Sequence, residues 1–186
     1  MGRKIEEPLM KGEGQVKWPR APRGHVSTMS ARREPETTTD PAAACLAAGL
    51  PSRPLTVLLC GDRDWTDGGL ILRILVTLPQ VAMVLHGGCR GADLLGGWAA
   101  RRLGIAVEVF PADWAGEGRA AGPLRNARML AEGRPDLVLA FHDDIGSSRG
   151  TADMIRKALV ASVQVRLVSH RGIQDLSRGA VTKEAA

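Results

Sequence analysis

From Leu55 onward, five short runs of Val, Ile and Leu punctuate the chain: 55-LTVLLC-60, 81-VAMVLH-86, 105-IAVEVF-110, 136-DLVLAF-141 and 163-VQVRLV-168. Each is too short for an independent helix and too continuously apolar for a strand with one wet face. Such runs suit strands buried on both sides. Between them lie stretches compatible with helices, at about residues 67–78, 92–103, 122–132 and 151–161. In the second of these, Leu95, Trp98, Ala99 and Leu103 recur at helical spacing and Gly104 closes the helix. Strands alternating with helices call for a parallel sheet with right-handed crossovers.

The expected fold is therefore α/β: an open, Rossmann-like parallel sheet of about five strands, helices on both faces, in the order 3-2-1-4-5. A domain over residues 55–170 can bury roughly two-thirds of its unfolded surface, enough for its own core. Outside it the pattern changes. Seven of the eleven prolines fall within residues 1–54. Residues 1–40 read as a disordered, basic, Pro-rich extension, because they lack sustained apolar periodicity. Residues 41–54 read as a short helix and linker, with Asp40-Pro41 at its start and Gly49 near its end. Residues 171–186 read as a flexible C-terminal tail.

Composition narrows the function classes. No run of about 18 apolar residues exists, so no transmembrane helix and no membrane partner are expected. The polar N-terminus lacks the apolar stretch of a secretory signal. Cys45, Cys60 and Cys89 are odd in number and lack metal-type spacing, which leaves a reducing cytoplasm as the default location. The net charge of +5 divides into +3 over residues 1–54, +1 over 55–170 and +1 over 171–186. The middle of the chain is thus balanced, whereas DNA binding needs clustered positive charge. Tyrosine is absent and phenylalanine occurs twice, which supplies few stacking residues for nucleic acid.

In a sheet of this kind ligands bind beyond the carboxyl ends of the strands. Four loops of special composition gather there: 61-GDRDWTD-67, 87-GGCRGAD-93, 111-PADWAGEGRAAGPLRN-126 and 142-HDDIGSSRGTAD-153. The second carries Gly87, Gly88 and Gly91 directly before a helix, where free N–H groups and a partial positive charge suit a phosphate. The alternative is a tight strand-to-helix turn. Asp93 either caps that helix or projects into the cleft as a ribose acceptor or catalytic carboxylate. In the fourth loop Thr151 is the expected N-cap. There Gly150 allows close approach, and Ser148 and Arg149 add donors. One helix terminus gives about 0.3–1 kcal/mol, so useful affinity needs forked guanidinium groups as well. Arg63, Arg119 and Arg125 are candidates, with Arg125-Asn126 expected to open the third helix. Trp65 and Trp114 either stack on a base or anchor their loops. His86 ends the second strand and His142 follows the fourth, both near the site, and both read mainly as structural. Cys89 has no evident His partner, so a structural reading outweighs a nucleophilic one. Asp143 and Asp144 offer a place for Mg²⁺ with a phosphate ligand, against a solvated loop.

The ordered series 61-GDRDW-65, 86-HGGCRGAD-93, 111-PADW-114, 120-AAGPLRNARML-130, 140-AF-141 and 148-SRGTADM-154 resembles the YspA, cpYpsA-related family of the SLOG superfamily. That superfamily is named for DNA-processing proteins and lonely-guy phosphoribohydrolases. The resemblance implies a Rossmann-like domain that binds a nucleotide or nucleotide-derived ligand such as an ADP-ribose-type molecule. It maps the family's GG-x-x-GAD element onto Gly87, Gly88, Gly91, Ala92 and Asp93. The AGP-x-RN element falls on Ala121, Gly122, Pro123, Arg125 and Asn126, and the SRGT element on Ser148, Arg149, Gly150 and Thr151. The usual G-S-R start stands here as Gly61, Asp62 and Arg63, with an acid in place of the small hydroxyl residue. The lonely-guy RK-x-x-M segment is similar to 125-RNARM-129, which places Arg125 at its arginine. The glutamate of PGG-x-GT-x-x-E falls on Met154. The neighbouring Asp153 is rotated by about 100° on a helix and is no simple substitute.

Three functions follow as expectations. The first is binding of a nucleotide-derived small molecule as a sensor or processing protein. The second is hydrolysis of a nucleotide N-glycosidic or phosphate bond, with Asp93 and Arg125 as catalytic residues. The third is DNA binding of the DNA-processing type, which the balanced core charge disfavours. A homodimer paired through helices stays open.

Overall fold

The computed structural model describes residues 48–177. The extension expected over 1–40, most of the short helix expected after Pro41 and the end of the tail lie outside the described residues. Of that helix only its close, a turn at Ala48–Gly49, is described.

Strand β1 (Leu55–Gly61) leads to helix α1 (Gly68–Thr77), β2 (Val81–His86), α2 (Ala92–Arg102) and β3 (Ala106–Val109). A one-turn helix α3 (Trp114–Glu117) and a 3-10 turn (Gly118–Ala120) precede α4 (Ala121–Ala131). Then follow β4 (Leu137–Phe141), a second 3-10 turn (Ile145–Ser147), α5 (Arg149–Val160), β5 (Gln164–Ser169) and β6 (Gly172–Asp175). The sheet runs β3-β2-β1-β4-β5-β6. The first five strands pair in parallel, in the expected order.

The sixth strand is a correction to the tail expected from residue 171. Gly172–Asp175 folds back antiparallel on β5, with Val168 opposite Ile173. The turn before it is pinned from outside: Asp143 accepts the His170 N–H at 2.8 Å and contacts its Nδ1 at 2.7 Å. The His170 ring in turn stacks on Trp65 at 4.4 Å.

Alternation along β1 builds the core. Leu55, Val57 and Leu59 pack toward α1 and α2, together with Ile71, Leu75 and Ala99. Leu58 and Cys60 pack on the other face with Met129, Met154 and Ala158 of α4 and α5. Each large aliphatic side chain so buried contributes about 1.5–3 kcal/mol. Arg166 of β5 is fully buried and donates from Nη2 to Ala48 O at 2.8 Å, tying the segment before β1 to the sheet.

This topology fixes where a ligand can go. The chain leaves β1 toward β2 and β3, then returns to the opposite side of β1 with β4. A crevice therefore opens beyond the carboxyl ends of β1 and β4, at the topological switch point.

Candidate ligand site at the switch point

A cleft of about 1280 Å³ occupies that crevice. Gly61, Arg63, Asp93, Arg125, Asn126, Ser148, Arg149, Gly150 and Thr151 all line it. A smaller lobe of about 590 Å³ is lined by Gly87 and Gly88, and shares Arg63, Cys89, Arg90, Trp114 and Arg125 with the large one. Gly91 lines neither. It sits at φ +72°, where a side chain would be strained, and its Cα packs on the backbone of Asp62 and Arg63. Its work is to let α2 start close to the β1 loop.

Arg125 is the hub. Its helix begins at Ala121, one residue before the expected span of 122–132, so Arg125-Asn126 does not open it; Pro123 fits the first turn, where no N–H is needed. Arg125 therefore lies in the second turn and is buried. Its Nε donates to Asn126 Oδ1 at 3.2 Å, Nη1 to Phe110 O at 3.5 Å and Nη2 to Cys89 Sγ at 3.6 Å. The guanidinium lies directly on Gly87, where a Cβ would overlap Nη1. Gly87 is thus a glycine because an arginine crosses it. Asn126 extends the network, donating to Gly150 O at 3.2 Å and Asp153 Oδ2 at 3.0 Å, which locks α4 to the start of α5.

The loop after β2 differs from the expected phosphate cradle. Asp93 Oδ2 accepts the N–H groups of Gly87 at 3.0 Å and Cys89 at 3.2 Å. His86 Nδ1 accepts the Gly88 N–H at 3.0 Å. Three amides that suited a phosphate are held by the protein's own side chains. Asp93 is also not the helix cap, since it stands at the second residue of α2 after Gly91. Burial pushes its carboxyl up to about 6, against the pull of the Cys89 N–H, Arg125, the Gly87 N–H and Arg63. Burial lowers His86 to about 4, with Arg101 and Arg125 adding to the effect. The Cys60 thiol is pushed up, first by burial and then by the Asp93 charge.

The loop after β4 keeps its helix start open. Ser148, not Thr151, is the N-cap: its Oγ accepts the Thr151 N–H at 3.3 Å, the usual reach from cap to third residue. The Arg149 and Gly150 N–H groups, first in α5, have no acceptor within the helix and stand at the exposed rim. The exposed Arg149 side chain adds a guanidinium there. Asp153 faces the same cleft. Partial burial works to raise it, but hydrogen bonds from Lys157 and Asn126 and the nearby cations hold it below its ordinary range. Met154, at the position of the lonely-guy glutamate, is buried in the core.

Other candidates separate cleanly. Trp65 is an anchor, buried against Phe141 and His170, with Nε1 donating to Asp67 O at 3.1 Å. Trp114 is 53% exposed and borders both lobes. His142 Nδ1 accepts the Asp144 N–H at 3.0 Å, a structural brace. The acidic pair considered for Mg²⁺ is divided: Asp143 engages His170, while Asp144 Oδ1 accepts the Gly146 N–H at 3.1 Å. Neither lines the cleft. Among the described residues no group of three or more His, Cys, Asp or Glu side chains gathers as a metal site. None of the described helices is long and apolar enough to cross a membrane.

Comparison with known proteins fits this architecture. Gene 61 protein of Mycobacterium phage D29 is 37% identical over 118 residues, covering 59% of this chain and 92% of that protein. The model of the YspA, cpYpsA-related SLOG family matches residues 55–116, from β1 through the Asp93 loop to Trp114. The segments around Arg125 and Ser148 lie beyond that stretch, yet they close the same cleft. With the ordered motifs, the parallel sheet and a relative matched over nearly its whole length, the chain belongs to the YspA, cpYpsA-related SLOG family.

Proposed function

We propose that this protein binds a nucleotide or nucleotide-derived ligand, a nucleoside phosphate or an ADP-ribose-like molecule, in the cleft at the switch point. The observation that carries this is the convergence of Arg63, Arg125 and Arg149 on one crevice with the open start of α5. A phosphate there would meet two backbone N–H groups and forked guanidinium donors, and charge-assisted bonds of this kind are about twice as strong as neutral ones. The test is calorimetry of the full chain with nucleoside mono- and diphosphates and ADP-ribose. One-site binding, weakened about tenfold or more by Arg149→Ala, is expected. Arg128→Ala, on the same helix as Arg125 but outside the cleft, leaves it unchanged. Absence of saturable heat at millimolar ligand for every compound removes the proposal.

A second reading, hydrolysis of a nucleotide N-glycosidic or phosphate bond, is favoured by one observation. Asp93 is a buried carboxyl at the cleft with its proton held up to about 6, and such perturbed groups in clefts are candidates for acid–base work. In that case Asp93→Asn lowers turnover by far more than it lowers affinity. Equal losses would discard this reading and leave binding intact.

A further inference from the structure

We infer that the smaller lobe receives a planar heteroaromatic ring stacked on Trp114, so that the ligand is a whole nucleotide and not a sugar phosphate. This rests on the proposed binding of a nucleotide-derived ligand and assigns its ring end. The lobe has two characters: Arg63, Arg90 and Arg125 border it beside an apolar wall. One side is apolar, formed by Val109, Pro111, Ala112 and Trp114. Val109 and Trp114 are 42% and 53% exposed, large apolar surfaces left in water beside a ligand cleft.

The floor argues for a ring rather than a phosphate. Gly87 and Gly88 line the lobe without side chains, and their N–H groups are taken by Asp93 and His86. An anion there would find no free amide at those residues. A flat ring needs none, because its contact is through its face. Arg63, Arg90 and Arg125 border both lobes and mark the junction where the ring end meets the charged end. The phosphate then falls in the larger lobe, toward α5. Trp114 is well placed to be a platform: it is half exposed, and Gly122 lies close beside it, where a Cβ would stand 3.4 Å from Cη2. Trp65, by contrast, is already covered by Phe141 and His170.

The experiment compares the four common nucleoside 5′-monophosphates with ribose 5-phosphate, by calorimetry on the full chain. At least one nucleotide should bind about tenfold or more tightly than ribose 5-phosphate, as expected for one base on one aromatic ring. Trp114→Ala should weaken the preferred nucleotide far more than ribose 5-phosphate and so erase the preference, and Trp114→Phe should retain most of it. Tryptophan fluorescence should be quenched by the preferred nucleotide in the wild type and much less in Trp114→Phe. If ribose 5-phosphate binds as tightly as every nucleotide, or Trp114→Ala weakens both alike, the ring assignment is wrong and anion binding survives. If neither class binds, both fall together.

Discussion

The loops after β2 and β4 are built to one plan and end in opposite states. Each follows a strand closed by a histidine or followed by one, and in each the histidine Nδ1 accepts the N–H two residues on. Each carries glycines and runs into a helix on the cleft. After β2 the protein supplies its own anion: Asp93 turns back from α2 and occupies the Gly87 and Cys89 amides. After β4 the cap is Ser148, a neutral group that satisfies the third N–H of α5 and leaves the first two at the rim. Glycine content alone does not separate a loop with free amides from a packed one. What separates them is whether a buried side chain has already taken the amides.

Removing the internal charge is the strongest way to break this contrast. The Asp93 carboxyl is raised from 3.8 to about 6 by burial, a difference of roughly two units at about 1.4 kcal/mol each. Because the folded value lies above the unfolded one, Asp93 favours folding below about pH 4 and loses that contribution as the pH rises through 6. Asp93→Asn keeps an acceptor for the two amides without the charge. It should therefore stabilise the fold at pH 7, by up to about 3 kcal/mol in urea unfolding, with the gain gone near pH 4. His86 works oppositely. Its folded value of about 4 lies below 6.5, so its contribution is full above 6.5 and is lost as the pH falls toward 4. In the wild type the two trends offset each other across that window. In Asp93→Asn the acid loss stands alone, and stability should fall steadily from pH 6.5 to 4. A variant less stable than wild type at both pH 7 and pH 4 would contradict the buried-charge account.

The next effect tests the packed loop directly. Gly87→Ala places a methyl on the Arg125 guanidinium, which is held on three sides by Asn126, Phe110 and Cys89. Overpacking of this sort costs about 1–3 kcal/mol. Ligand binding should weaken with it, since Arg125 must move. Unfolding and calorimetry on the same sample check both halves.

These contrasts mark what the sequence makes legible. The five parallel strands and four main helices follow from continuous apolar runs and helical spacing, signals local to each element. Strand β6 has no such signal: GIQD lacks apolar alternation, and its turn is held by Asp143 and Trp65 from distant loops. The cleft residues could be gathered by topology, because each loop follows a strand end. Their individual roles could not. Gly87 serves a packed arginine, and that requires knowing where Arg125 crosses. Ser148 and Thr151 are both capping types, three residues apart, and only the helix start decides between them. Trp65 and Trp114 occupy similar loops, and only burial tells the anchored ring from the exposed one.

Ser148→Ala sharpens the open loop by a smaller amount. The cap bond to Thr151 N is lost, at about 1 kcal/mol by urea midpoint. Phosphate affinity should fall only modestly, since the hydroxyl serves the helix while the proposed anion uses the Arg149 and Gly150 amides.

Gly150→Ala gives the smallest change in stability and the most pointed comparison with Gly87→Ala. Nothing lies within 4 Å of a Cβ at Gly150, and no positive φ occurs there. Alanine is also the better helix former, by about 0.8–1 kcal/mol in a helix interior and less in the first turn. Unfolding should therefore be unchanged or slightly harder. A phosphate approaching the Gly150 N–H would nevertheless meet the new methyl, so affinity for nucleoside phosphates should drop while stability does not. The two glycines then separate: one substitution harms the fold and binding together, the other harms binding alone. If Gly150→Ala leaves nucleotide affinity untouched in calorimetry, the anion does not sit at the start of α5, and the open loop has lost its assigned role.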